Sequence, residues 1–247
     1  MVVSHGSFGF AEAVDGERDF ADKDATGPGN SYRGPSLDHP QFRIERDLLP
    51  AYGFDFSSNK MLYEGLVDNP LVLQLNAPEN YARYHLLSLV EKLRSNKNPK
   101  QLRYLVLGCT HYPYQIATIN KMLRELRTYE KDGIYPYRDL IAEKVEIIDP
   151  ALETACELYY TLLNDSLMTF NLAPSSARFY ISIPYKNPGH PERFDSLGRF
   201  TYEYKYGRQP GVFERDTDIV PFSADIIDQQ TIERLRSLRF TWPLLPF

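Results

Sequence analysis

A cysteine and a histidine stand two residues apart in Gly108-Cys109-Thr110-His111-Tyr112-Pro113. An imidazole beside a thiol can stabilise the thiolate, which is the reactive form. Thr110 offers a hydroxyl and a backbone N–H between them. Pro113 suits the first turn of a helix, where a missing N–H costs nothing. Two other readings of Cys109 stand beside this one. Free cysteine is among the most buried residue types and often only fills space. Metal binding is the other, but a Cys-x-His pair without a further Cys/His cluster makes a poor zinc site, so no metal is expected.

The elements around the motif decide which reading gains. Residues 102–107 are apolar except for Arg103 and read as a buried strand. Residues 114–127 have helical spacing, with Ile116, Ile119, Leu123 and Leu126 on one face. The motif therefore falls at the carboxyl end of a strand, where open α/β sheets bind ligands. The N–H groups of the following helix start would favour an anion there.

Upstream, residues 70–75 read as a short buried strand. Asn76 is placed to cap a helix over residues 78–95, with Pro78 in its first turn. Ala82, Leu86, Leu89, Val90 and Leu93 form its apolar stripe. His85 borders that stripe and reads as a packed residue at the core edge. Downstream, residues 145–148 lead through Asp149-Pro150 into a helix to about residue 163. Strand, helix, strand, helix, strand, helix predicts an α/β fold with a parallel sheet flanked by helices. Cys156 falls near Leu152, Tyr159 and Leu163 in the last helix and is expected in the core.

The ends differ from this middle. Residues 1–58 show no lasting period, and Gly, Pro, Asp and Ser are dense over 15–40. They read as an irregular segment, exposed or wrapped over a neighbour. Residues 59–171 form the α/β domain. Residues 172–247 read as a β-rich extension: strands at 178–183 and 199–206, turns at Asn187-Pro188-Gly189 and Gly198, a helix over 228–238, and an apolar tail over 240–247. Trp242, Leu244, Leu245 and Phe247 are expected to dock on the body.

Composition narrows the function classes. The chain has 247 residues, 43% hydrophobic and 25% charged, with a formal net charge of −5. That charge, with no Lys/Arg run, argues against a nucleic-acid partner. No apolar run approaches the ~20 residues that span a bilayer, so no membrane association is expected. The first ten residues do not read as a signal peptide. Two cysteines do not make a disulfide framework, and a reducing cytoplasm is expected.

The hexapeptide at 108–113, following an apolar strand, resembles the second catalytic motif of the aspartate/glutamate racemase family, glutamate racemases in particular. Val145-Glu146-Ile147-Ile148-Asp149, followed by Pro150-Ala151-Leu152-Glu153-Thr154-Ala155, resembles that family's strand, acidic turn and helix. Together the two stretches place the likeness over about residues 70–165. The resemblance implies one lobe of a two-lobed fold and a cofactor-free racemase with two thiols. One thiolate removes the α-proton of a small acidic amino acid, and a thiol on the opposite face returns one. By matching motif, Cys109 would be the base or acid on one face, His111 would tune it, and Thr110 would hold the substrate carboxylate. The family also places a carboxylate near the preceding strand; Glu79 is nearest by spacing, although its surroundings do not match the family pattern. A first-turn helix carboxylate facing the dipole is the structural reading of Glu79. The resemblance further implies a cytoplasmic enzyme that supplies D-glutamate for peptidoglycan. A homo-oligomer is compatible with the sequence.

The family's first cysteine, in a Cys-Asn-Thr motif of the other lobe, has no counterpart here. The expectation is a racemase-derived polypeptide that corresponds to a C-terminal portion and is incomplete alone. The alternative is a non-catalytic α/β binding or interaction module.

Overall fold

The computed structural model describes residues 1–168, 178–186, 189–196, 198–207, 209–211, 214–227 and 229–246. It divides into two compact units, Met1–Ser166 and Leu167–Phe247. The expected boundary at 171/172, the Asn187-Pro188 part of a turn, Asp228 at a helix start and Phe247 of the tail lie outside the described residues.

The first unit is built on one long helix. Its elements are α1 (Phe10–Asp15), α2 (Leu49–Tyr52), β1 (Met61–Leu66), β2 (Asn69–Leu75), α3 (Pro78–Arg94), β3 (Leu102–Val106), α4 (Ile116–Thr128), β4 (Ile141–Ile148) and α5 (Pro150–Asn164). Helix α3 starts with Pro78 and Glu79 and ends with Lys92 and Arg94, matching the helix dipole at both ends. Every residue of the expected stripe is buried: Ala82, Leu86, Leu89, Val90 and Leu93. The opposite side of α3 is buried as well, through Asn80, Tyr81, Arg83, Tyr84 and His85.

That second buried side explains how residues 1–58 are held. They contain only short helices and turns, so many backbone groups need partners outside a ladder. The polar side chains of α3 and its approach supply them. Asn80 accepts from the Asp55 N–H and donates to the carbonyls of Asp55 and Lys60. The Tyr81 hydroxyl donates to the Phe20 carbonyl at 2.8 Å, and that of Tyr84 to the Arg43 carbonyl. Asn76 does not cap α3; Ala77 occupies that position without a side-chain bond. The Asn76 amide instead accepts from the Asp22 N–H and donates to the carbonyls of Asp22 and Asn59. Phe20, Leu37, Ile44 and Tyr52 then bury their rings and chains in the same core.

The strands differ from the expected single sheet. β2 pairs with β1 as an antiparallel hairpin, Met61 opposite Leu75. A mainly apolar stretch fits an antiparallel partner as well as a parallel one, and the short β1–β2 link closes locally. β3 and β4 form the one parallel pair among the described residues, Tyr104 opposite Glu146 and Val106 opposite Ile148, with α4 as the crossover. The unit is therefore mixed α/β. In α4, Ile119, Met122, Leu123 and Leu126 are buried and Ile116 is half-buried. Arg83, itself buried, joins α3 to α4 by donating to Glu125 Oε2 at 2.7 Å. β3 is not the buried strand its composition predicts, since Tyr104 and Val106 are exposed.

Helix α5 is capped by Asp149, whose carboxylate accepts from the Ala151 N–H, and begins with Pro150. It has no buried residue: Leu152, Leu158, Tyr159, Tyr160 and Leu163 all face solvent. Cys156 is exposed too, which corrects its expected place in the core. The periodicity that suggested a core face is present, but no described element covers it.

In the second unit β5 (Tyr180–Pro184) pairs antiparallel with β6 (Thr217–Pro221), not with the 199–206 stretch. That stretch forms α6 (Tyr202–Gly207), where the rings of Tyr202 and Tyr206, one turn apart, meet at 4.7 Å between centres and tilted by 42°. Its strict alternation argues for a strand; the Thr201 hydroxyl, accepting from the Tyr204 N–H, caps a short helix there instead. α7 spans Gln229–Arg236. Of the tail, Trp242 and Leu245 are half-buried, whereas Phe240 and Leu244 are exposed.

Candidate functional site

Residues 108–115 connect the end of β3 to α4. Leu107 is buried and its N–H donates to the Ile148 carbonyl, the last rung that ties the strand end to β4. Gly108 leaves the ladder with open space where a Cβ would stand. The chain then turns: the Tyr112 N–H donates to the Cys109 carbonyl and the Tyr114 N–H to the His111 carbonyl. A 3-10 turn over Tyr112–Gln115, with Pro113 in its first positions, runs into α4.

This turn folds the histidine back over the cysteine. His111 Nδ1 lies 3.1 Å from Cys109 Sγ, within hydrogen-bond reach of sulfur. The other ring nitrogen, Nε2, lies 3.0 Å from Asp15 Oδ1, at the end of α1. Both motif residues are half-buried, open enough to meet a solute. Thr110 is exposed, and among the described residues its hydroxyl and N–H have no hydrogen-bond partner. Tyr112 stacks on Phe10 at 4.7 Å between ring centres, with 13° between planes, and burial pushes its phenol up.

A groove of about 920 Å³ runs between residues 1–7, α3 and β3, and ends at Gly108 and Tyr112. Its walls include Leu86, Leu89 and Leu93, so it is mainly apolar. His85, also in its lining, is buried and packed: its Nε2 meets the Phe8 carbonyl at 2.9 Å and its Nδ1 meets His5 Nε2 at 3.1 Å. Burial, helped by the neighbouring His5, pushes the His85 imidazole down to about 3.

The structure thus brings Cys109, Thr110 and His111 together at the strand end. It does not bring Glu79 to them. Glu79 is half-buried in the first turn of α3 and makes no hydrogen bond or ion pair with the motif among the described residues. Its charge acts on Lys60 instead, whose ammonium is raised first by its hydrogen bond to Asp55. The carboxylate that meets His111 is Asp15. Sequence spacing held no signal for it, because the contact joins the irregular segment to a distant turn. Among the described residues no group of three or more His, Cys, Asp or Glu could hold a metal ion, and no helix is long and apolar enough to cross a membrane.

Comparison with known proteins gives one partial likeness. The chain is similar to a glutamate racemase of Carboxydothermus hydrogenoformans, 29% identical over 109 residues. The match covers 44% of this chain and 31% of that protein, so it spans about a third of the relative's length. No family model and no solved structure matches the chain.

Proposed function

We propose that this chain carries one proton-transferring thiol of a cofactor-independent amino-acid racemase acting on a small acidic amino acid such as glutamate. The observation that carries the reading is the Cys109–His111 contact of 3.1 Å at the end of β3. The partial likeness to a glutamate racemase supports it.

The chemistry follows from the groups present. His111 accepts the thiol proton or stabilises the thiolate, and the thiolate takes the α-proton of the bound substrate. The electron pair stays on the α-carbon, conjugated with the substrate carboxylate. That carboxylate is held by the free Thr110 hydroxyl and N–H. Return of the proton from Cys109 restores the starting enantiomer. Inversion needs a proton donor on the opposite face, and Cys156, two turns into α5, is not paired with the motif. The second thiol would come from another lobe. The whole enzyme would supply D-glutamate in the cytoplasm, for peptidoglycan.

The test is exchange in D2O, followed by proton NMR of the substrate α-hydrogen. The chain should wash the α-hydrogen out of one enantiomer of glutamate or aspartate without forming the other. Cys109→Ser should abolish the exchange. Formation of the opposite enantiomer would contradict a single-thiol site. No exchange from any of the four amino acids would contradict racemase chemistry. It would favour the second reading, a non-catalytic interaction module, for which the exposed apolar side of α5 speaks.

A further inference from the structure

We propose that Asp15 is a positioning residue, which fixes the His111 ring so that Nδ1 serves the Cys109 thiol. The proposal deepens the reading above, since it concerns the same thiol, but its test does not depend on racemisation.

An ionised carboxylate is acceptor-only. With Asp15 Oδ1 at an ion-pair distance of 3.0 Å from Nε2, the negative charge favours the ring form that carries its proton on that nitrogen. In the neutral ring Nδ1 is then bare and faces Cys109 Sγ at 3.1 Å as an acceptor. The thiol proton can pass to Nδ1, and the resulting imidazolium lies between a thiolate and a carboxylate. Without Asp15, the neutral ring is free to hold its proton on Nδ1. The ring then cannot receive the thiol proton. An orienting third group is the usual logic of an activated nucleophile or base.

The placement of Asp15 is set by more than its own ion pair. It is the last residue of α1, and Gly16 ends that helix in a left-handed conformation, φ 76°. Gly9, at φ 76°, starts it. A Cβ at Gly9 would stand 2.8 Å from the Phe20 ring and 2.9 Å from the Tyr81 ring, so this approach to α3 requires glycine. Phe10, buried, stacks on Tyr112 of the motif and lies against His85 of α3. One short helix is therefore pinned to both the motif and the core, and Asp15 leaves it toward His111. The irregular segment supplies a functional group as well as a cover. An exposed ion pair contributes little to stability, so Asp15, whose side chain is 38% exposed, is expected to matter for reactivity and not for folding.

The experiment uses the full chain with 15N-labelled histidine, in wild-type, Asp15→Ala and Asp15→Glu forms. Long-range proton–nitrogen NMR reads the protonation of each His111 ring nitrogen at neutral pH, and mass spectrometry reads the iodoacetamide rate at Cys109. Wild type should show Nε2 protonated. Asp15→Ala should shift Nε2 toward the bare-nitrogen range and slow Cys109 alkylation several-fold, while the melting temperature stays unchanged. Asp15→Glu should restore both in part. An unchanged ring signal in Asp15→Ala overturns the proposal, and so does a shifted ring with an unchanged Cys109 rate. Failure of α-hydrogen exchange in wild type would strike the racemase reading and leave these two readouts intact.

Discussion

Helices α3 and α5 are similar in length and opposite in circumstance. α3 buries apolar and polar residues alike: Leu87, Val90 and Tyr81 lie inside, and so do Asn80, Arg83 and His85. α5 buries nothing, although it carries Leu152, Leu158, Tyr159, Tyr160 and Leu163, all of them exposed. The difference lies in the partners. α3 has α4 on one side and residues 1–58 on the other, and irregular chain demands hydrogen bonds as well as apolar contact. α5 has an apolar side without a described cover. Composition therefore records what a helix could bury, and packing decides what it does bury.

The largest test of this contrast is truncation in α3. Leu87 is completely buried, and Leu87→Ala should destabilise the first unit by about 2–5 kcal/mol, read by urea unfolding. A loss under ~1 kcal/mol would mean that α3 is not the centre of the core. Next comes the polar side. Asn80→Ala takes the partner from the Asp55 N–H and the Asp55 carbonyl, and one of two donors from the Lys60 carbonyl, which keeps the Asn76 N–H. A cost of about 1–3 kcal/mol is expected, together with faster amide exchange around residue 55.

His85 gives the same contrast a pH dependence. Its ring stays neutral in the fold, held down to about 3 by burial, whereas the unfolded ring titrates near its ordinary 6.5. Below pH 6.5 the unfolded chain binds a proton that the native chain refuses. Stability from this residue is thus fully present above pH 6.5 and is lost as pH falls toward 3. The limiting slope is about 1.4 kcal/mol per pH unit. His5 adds to the trend in the same direction, its own ring being lowered by burial and by Lys92. Unfolding midpoints at pH 7.5 and 5.5 should converge in His85→Gln relative to wild type. The smallest effect belongs to α5: Leu158→Ala should change stability by less than ~0.5 kcal/mol, because the residue is 58% exposed. A larger loss would reveal a cover for this helix.

Much of the middle of the chain was legible from its pattern. The stripe of α3, the motif at the end of β3, the α4 crossover and the Pro150 start of α5 all follow from period and capping residues. What stayed hidden depended on contacts between distant segments. Asn76 looked like a helix cap, yet its amide holds Asp22 and Asn59, which no local pattern announces. Residues 70–75 carried the composition of a strand but not the identity of their partner. The 199–206 stretch alternates as a strand would, and the Thr201 bond to the Tyr204 N–H that starts a helix there leaves that alternation unchanged. In the site, Cys109, Thr110 and His111 are neighbours in sequence and were found together. Asp15 meets them only because α1 is pinned by Phe10 to Tyr112.

The two cysteines test the central claim within one molecule. Cys156 is exposed on α5 and Cys109 is half-buried beside His111. If exposure alone governed reactivity, Cys156 would alkylate faster. If Cys109 is an activated thiol, the order reverses. The measurement is the ratio of iodoacetamide rates at the two residues at neutral pH, by peptide mass spectrometry, in wild type and in His111→Ala. The account predicts that Cys109 is the faster by about tenfold, and that His111→Ala removes the advantage without changing Cys156. A wild-type ratio in favour of Cys156, or one indifferent to His111→Ala, would contradict it.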